Sequence, residues 1–341
     1  MSDLVTAPEL PATGGVPQRK RDLVANPGAA DRVFRSTARG GGLLVLVIMA
    51  LVGTFLGYRA LQALRKDGVH FVTTQDWNPD GGKFGIAAVI VGTILIALVA
   101  VAVAVPLSLA AALYISEYAP RGLRRLLISI IDLMAAIPSV VFGLWGAFFL
   151  QWRVISLSRW ISDWFGWIPI FKVNGVTRHD PLATSTVYTS STFIAGLVVA
   201  LMVAPIACSI MREGFSQAPI GEREGAYALG ATRWGMIRSV VLPFGRGAVI
   251  GGTMLGLGRA LGETIAVVMI ISPRFVIQPR ILENGTSSVS SLIALRYGEA
   301  SPFGISALMA AGLALFALTL VVNFAAASVV ARSRSGAVSE V

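Results

Sequence analysis

"APIGEREGAYALGATRWGMIRSVVLPF", residues 218–244, separates two long apolar runs and carries a spaced pattern of small residues. Glu224-Gly225-Ala226 is followed by Gly230 and, after nine further residues, by Val240-Val241-Leu242-Pro243. We expect a short helix that ends at Gly230, because glycine tolerates the positive φ found at many helix C-termini. Small residues on this helix would let another protein approach closely. Pro243 should then begin the next helix, so that a force on the short helix passes directly into it.

The composition on either side of this stretch is that of an all-α polytopic membrane protein. Of 341 residues, 55% are hydrophobic and 13% are charged, whereas soluble domains are about 25% charged. Each transmembrane helix needs about 20 apolar residues. Six runs meet that length, with Pro106 and Pro138 predicted to kink the second and third helices. The six predicted spans are 41–61, 84–115, 124–151, 191–211, 243–272 and 305–331.

Basic residues set the predicted orientation. They cluster before the first run, between the second and third, between the fourth and fifth, and after the sixth, which places both termini in the cytoplasm. The Trp-rich loop 152–190 then lies outside, where we interpret it as an interfacial aromatic segment. The predicted organisation is a disordered cytoplasmic tail (1–40), a first transmembrane helix with its outer loop (41–83), the main transmembrane domain with the 222–243 loop (84–334), and a cytoplasmic tail (335–341).

Several classes of function find no support in the sequence. The net charge of +10 is explained by cytoplasmic loops, and no nucleic-acid-binding motif accompanies it. Cys208 is the single cysteine, and His70 and His179 stand far apart, so we expect no disulfide and no metal site. No G-x-x-x-x-G-K-[ST] motif is present, and no catalytic constellation stands out. We therefore expect no cofactor and no enzymatic activity in this chain.

The 224–243 pattern resembles the EAA loop of ABC importer permeases. Two positions depart from it, Gly225 for the first Ala and Val240 for Ile, and both keep the small or β-branched character. Two further segments resemble the phosphate-specific importer permeases, most closely the C-type (PstC-like) subunit. They are "GRALGETIAV", residues 258–267, and "IPSVVFGLWG", residues 137–146. The resemblance covers about residues 84–331.

This resemblance implies a type I ABC importer permease (MetI-like) fold in a bacterial plasma membrane. It implies a second, A-type phosphate permease, two copies of an ATP-binding subunit and an extracytoplasmic phosphate-binding protein as partners. The ATP-binding subunit would dock on the EAA loop and supply the ATP hydrolysis that this chain lacks. The residues that would couple to it are Glu224, Gly225, Ala226, Gly230, Leu242 and Pro243.

Arg259 and Glu263 lie within the predicted fifth span, although a charge at the centre of a membrane helix costs about 3 kcal/mol or more. Their spacing places both on one helical face, which continues through the small residues Gly252 and Gly256. Two hypotheses remain open: a buried ion pair that fixes packing, or a lined substrate pathway that also includes Thr264. We favour the pathway, because the planar guanidinium of Arg259 suits an oxyanion such as phosphate.

Other functions remain as alternatives. A permease for another oxyanion, sulfate or molybdate, would share the EAA loop. An ion-coupled secondary transporter or a channel would explain the buried charges, yet it would leave residues 224–243 unexplained. A membrane-embedded enzyme is the weakest alternative, since it lacks a catalytic constellation.

Overall fold

The computed structural model describes residues 28–174 and 186–334, and the chain divides into two compact units, residues 1–51 and 52–341. In the first unit the described residues are all exposed, and the helix begins at Ala29. The prediction of a disordered tail through residue 40 is therefore wrong for residues 29–40. Residues 1–27 of that tail, the tail 335–341 and His179 lie outside the described residues.

The described part of the chain consists of helices and connecting loops, with one short antiparallel hairpin and an isolated bridge between Ser191 and Asn284. The hairpin pairs β1 (Trp77–Asn78) with β2 (Lys83–Phe84). The α-helices are α1 (Ala29–Asp67), α2 (His70–Thr73), α3 (Ala87–Leu113), α4 (Arg121–Ala136), α5 (Ser139–Trp145), α6 (Gln151–Phe165), α7 (Thr192–Ser216), α8 (Ile220–Ala228), α9 (Arg233–Met236), α10 (Leu242–Gly262), α11 (Ile265–Ile270), α12 (Val289–Arg296) and α13 (Pro302–Arg334). Short π-helical or 3₁₀ turns extend these helices at Tyr114–Tyr118, Gly146–Leu150, Ile237–Val241 and Tyr297–Glu299.

Six helical runs among the described residues are long and apolar enough to cross a membrane, which confirms the predicted number. They are Ala29–Asp67, Ala87–Tyr118, Ser139–Phe165, Thr192–Ser216, Arg233–Gly262 and Pro302–Ala325. Pro106 lies inside the second of them, and α3 continues through it without interruption.

The third span differs from the predicted 124–151. Ile137 and Pro138 are both extended, with ψ angles of 129° and 142°, so the helix stops after Ala136 and restarts at Ser139. Proline cannot donate the helical hydrogen bond, and it disfavours helical geometry at the residue before it. Pro138 therefore separates two helices rather than kinking one. The apolar run then continues to Phe165, so residues 152–165 are helix and not outer loop.

The core of the second unit forms where α3 and α10 pack on α7. Buried alanines of α3 and α7 make the first contact, among them Ala100, Ala104 and Ala200. Gly252 and Gly256 of α10 make the second, because an added Cβ there would lie within 3.0 Å of an α7 atom. Small residues bring membrane helices close enough for extensive van der Waals contact, which is the main attraction between helices in lipid.

Candidate functional site

The loop 222–243, which is the predicted coupling loop, folds as the sequence predicts at Gly230. Helix α8 ends at Ala228, and Gly230 adopts a φ of 82°. The Ala231 N–H donates to the Ala226 carbonyl at 3.0 Å, and the Gly230 N–H donates to the Tyr227 carbonyl at 2.9 Å. These two bonds form a Schellman motif, which satisfies carbonyls that the helix end would otherwise leave unpaired. Gly230 is thus the residue that turns the chain from α8 toward α9.

Helix α8 presents an open surface. None of its residues is buried, and a Cβ added at Gly225 would meet no atom within 4 Å. Glu224 is exposed beside it. Large apolar side chains are also exposed here, with Leu229 at 90% and Ile220 at 72%. Ile220 and Leu229 thus stand exposed at the two ends of α8.

The helix after the turn begins earlier than predicted. Thr232 caps it by accepting the Gly235 N–H at 3.1 Å, and the helical run extends from Arg233 to Gly262. Pro243 lies in the first turn of α10, as predicted, but helical turns precede it, so Leu242 and Pro243 lie within a run that is continuous from Arg233. Pro243 has no N–H to donate to the preceding helical turn. The π-helical turn Ile237–Val241 lies just before it, so the missing hydrogen bond coincides with a wider turn of the helix. The helical run therefore leads without a break from the end of this loop through α10.

The predicted fifth span breaks inside its charged segment. α10 ends at Gly262, Glu263 is extended with a ψ of 124°, and α11 restarts only at Ile265. Arg259 and Glu263 therefore do not share one helical face, contrary to the prediction. Among the residues that the structure describes, no ion pair joins these two side chains. The hypothesis of a buried Arg259–Glu263 brace is thus unsupported, because the break turns Glu263 out of the α10 helix.

The two charged residues have different surroundings. Arg259 is exposed on α10, although its position two turns after Gly252 continues the glycine stripe that faces α7. The Glu263 carboxylate accepts the Ala266 N–H at 3.3 Å and so satisfies a free donor at the start of α11. Thr264 donates its hydroxyl to the Gly262 carbonyl at 3.2 Å. An exposed guanidinium, a carboxylate and a hydroxyl thus lie within six residues of chain at the end of α10.

A buried cluster of hydroxyl side chains supports the break. Ser290 donates to the Glu263 carbonyl at 2.8 Å. Ser288 caps α12 in a reciprocal capping box with Ser291, at 3.2 and 2.9 Å. Sequence reasoning missed this cluster, because residues 273–304 were interpreted as an outer loop. The S-x-x-S spacing at 288–291 was the available signal, since a capping box places hydrogen-bonding side chains three residues apart.

The sequence also matches a known protein family. A family model described as "Binding-protein-dependent transport system inner membrane component" matches residues 104–335. The chain belongs to this family of transport system inner membrane components. It is a multi-pass membrane protein by its six apolar helices and by its relatives.

Two curated members of this family match nearly the whole chain. The phosphate transport system permease protein PstC 2 of Mycobacterium tuberculosis is 34% identical over 335 residues, 96% of this chain and 98% of that protein. The phosphate transport system permease protein PstC of Xylella fastidiosa is 39% identical over 303 residues, 89% of this chain and 90% of that protein. The predicted resemblance to PstC-like permeases is confirmed.

A solved structure supports the fold. A chain from a bacterial ABC transporter involved in the import of the acidic polysaccharide alginate superposes with a TM-score of 0.52, at 18% identity, over 88% of this chain and 99% of that chain. The predicted all-α importer-permease fold is confirmed.

Proposed function

We propose that this chain is a permease subunit of an ATP-driven importer of inorganic phosphate. The observation that carries the proposal is a continuous structural connection from α8 to the break at Glu263–Thr264. The exposed helix α8 is followed by the turn at Gly230 and then by one helical run that ends at Gly262, three residues after Arg259. The PstC relatives, which match the chain over most of its length, supply the phosphate assignment.

The substrate pathway is proposed at Arg259, Glu263 and Thr264. Interrupted backbone inside a membrane is tolerated where it is packed in protein or lines a water-filled cavity. Transporters use such discontinuous helices to build substrate sites. Arg259 is exposed in the single chain, and the planar fork of its guanidinium matches the oxygens of a phosphate group. A lipid-facing Arg259 would be strongly unfavourable, so we place this face toward a second permease and the pathway between the two.

The coupling partner is proposed to be an ATP-binding subunit, present in two copies. It would bind the surface around Glu224, Gly225 and Ala226, with Ile220 and Leu229 as apolar contacts at the two ends of α8, because all of these residues except the half-buried Ala226 are exposed. Gly230, Leu242 and Pro243 would then transmit its movement into α10. With the ATP-binding subunit on the cytoplasmic side, α8 and both termini lie in the cytoplasm. An extracytoplasmic phosphate-binding protein would then act on the opposite face. The second permease is proposed to be of the A type.

A substitution series tests the pathway. Arg259→Gln removes the guanidinium while keeping a side chain of similar polarity, and Arg246→Gln makes the same change at an exposed position on the same helix as a matched control. In proteoliposomes with the second permease and the ATP-binding subunit, we expect Arg259→Gln to assemble normally and to lose phosphate uptake, and Arg246→Gln to transport normally. Normal uptake by Arg259→Gln would remove Arg259 from the pathway.

A further inference from the structure

One arginine of α8 makes hydrogen bonds to the ends of α3 and α7, next to the exposed surface of α8. Arg223 of α8 donates from Nη1 to both carboxylate oxygens of Glu117, at 3.1 and 3.0 Å. The same guanidinium donates from Nη2 to the Phe215 carbonyl at 2.6 Å and from Nε to the Ala218 carbonyl at 3.2 Å. Glu117 belongs to the π-helical turn that ends α3, and Phe215 lies in the last turn of α7.

This cluster is more protected than an ordinary surface ion pair. The Glu117 side chain is only 4% exposed and that of Arg223 20%. Taking two charges out of water is costly unless their geometry is good and their remaining hydrogen-bonding groups are satisfied. Here each of the three nitrogens of the guanidinium donates to an acceptor. Two of these acceptors are backbone carbonyls near the C-terminus of α7, where a positive charge is favourable. The pair therefore defines one arrangement of α8 against α3 and α7.

A second contact joins the coupling loop to the same end of α3. The Arg233 guanidinium of α9 lies over the Tyr118 ring, 5.0 Å from its centroid. Tyr118 and Glu117 are adjacent in the chain, so both arginines hold one short π-helical turn. Helix α8 itself buries no residue. Ala226 packs, partly buried, against the core cluster that contains Ile115, and the two arginine contacts add polar links from the same loop to the end of α3.

The other end of α3 reaches the hydroxyl cluster beside the broken helix. The Val289 N–H of α12 donates to the Thr93 hydroxyl at 2.9 Å, and an added Cβ at Gly92 would collide with the Ser287 carbonyl oxygen. The neighbouring Ser290 donates to the Glu263 carbonyl. From Thr93 to Glu117 the helical chain spans about 35 Å at 1.5 Å per residue. Helix α3 thus has direct contacts at both ends, with α8 and with the segment that supports the break.

We propose that the Arg223–Glu117 pair is a positioning element that transmits movement of the coupling helix into α3, as a second route beside α9–α10. This inference rests on the proposed docking of an ATP-binding subunit on α8. Movement of α8 in that complex displaces Glu117, and α3 carries the displacement as a rigid helix to Thr93 and the α12 N-terminus. Arg223 touches neither substrate nor nucleotide in this scheme, and it acts through Glu117.

The test uses the complete importer in proteoliposomes and measures phosphate transported per ATP hydrolysed. The variants are Glu117→Gln, Arg223→Gln and the double change, with Glu213→Gln as matched control. Glu213 is an exposed carboxylate in the same α7 end region, with a 3.4 Å bond from Gln217 and no ion pair among the described residues. We expect each single variant to assemble and hydrolyse ATP while the transport ratio falls about fivefold or more, the size of a typical coupling between two sites.

The outcomes separate transmission from simple stability. If the pair acts as one unit, the double variant transports as poorly as either single variant and Glu213→Gln is normal. An unchanged transport ratio in the assembled Glu117→Gln complex would overturn the proposal. Should Glu117→Gln fail to assemble, Tyr118→Leu removes the second contact at a side chain that is 42% exposed. It must lower the same ratio, and a normal ratio there would equally overturn the proposal.

The same preparation distinguishes this inference from the proposed function on which it depends. Glu224→Lys places the opposite charge on the exposed face of α8 without touching Glu117. Loss of ATP-binding-subunit association in Glu224→Lys, together with a normal ratio in Glu117→Gln, would refute the α3 route alone. Normal association and transport in Glu224→Lys would instead refute the docking of the ATP-binding subunit on α8.

Discussion

Gly230→Ala adds one methyl group to the turn that ends α8, and its effect can be worked from the geometry. The new Cβ would meet no atom within 4 Å, so no steric clash contributes. The cost is conformational, since Gly230 has a φ of 82° and a left-handed L-residue is disfavoured by roughly 1–2 kcal/mol. Alanine also restricts the unfolded chain, which offsets part of this. We expect the free energy of opening the turn to fall by about 1 kcal/mol, which corresponds to a factor of about five.

Hydrogen–deuterium exchange over residues 220–236 measures this change directly. Gly221→Ala is the control: the site has the same open surroundings, but it lies within α8 at an ordinary helical position. Gly221 lies in the first turn of α8, where alanine is a better helix former than glycine. We therefore expect exchange to accelerate about fivefold in Gly230→Ala and to slow in Gly221→Ala. Equal changes of the same sign in both variants would refute the assignment of Gly230 as the conformational turn.

Three further predictions follow the same structure. Gly230→Pro cannot reach a positive φ and loses the bond to the Tyr227 carbonyl, so the ATP-binding subunit should no longer co-purify with an otherwise inserted chain; stoichiometric co-purification would contradict this. Arg259→Lys keeps the charge and loses the planar fork, so phosphate uptake should fall while the yield of the complex is maintained; unchanged uptake would show that charge alone suffices. In a Cys208→Ala background, a membrane-impermeant thiol reagent added outside should label Trp167→Cys and not Gly122→Cys, both exposed positions; the reverse pattern would invert the orientation.

The parts of the fold set by local chemistry were predictable from the sequence. Continuous apolar length gives six spans, and the glycine required at a helix C-terminus gives the turn at Gly230. The EAA-like spacing gives the family, because three separate elements must coincide over twenty residues. Each of these depends on neighbouring residues along the chain and little on tertiary contacts.

The helix interruptions were harder to predict. Pro138 and Pro106 both looked like kinks, yet Pro138 separates two helices while α3 continues through Pro106. The break at Glu263 occurs without proline, and it is supported by Ser290, a residue 27 positions further along the chain. Because apolar periodicity gives no information about such a distant hydrogen bond, residues 259 and 263 were placed on one face of an unbroken helix.

The Arg223–Glu117 pair was missed for a similar reason. The two residues are 106 positions apart, and each stands in a segment that reads as an ordinary cytoplasmic loop or helix end. Glu117 at the end of α3 comes close to Arg223, which follows the end of α7, only because α3 packs against α7. Charged residues near helix ends are common on cytoplasmic faces, so the sequence offers no signal that these two are paired.

ATP-dependent uptake of labelled phosphate by the reconstituted complex tests the central proposal most directly. The complex contains this chain, the second permease, the ATP-binding subunit and the external binding protein, and sulfate is added as competitor in excess. We predict uptake that requires ATP and the binding protein and that persists when sulfate is present. Uptake that proceeds without ATP hydrolysis would contradict the importer assignment, and uptake abolished by sulfate would contradict the assignment of phosphate as the substrate.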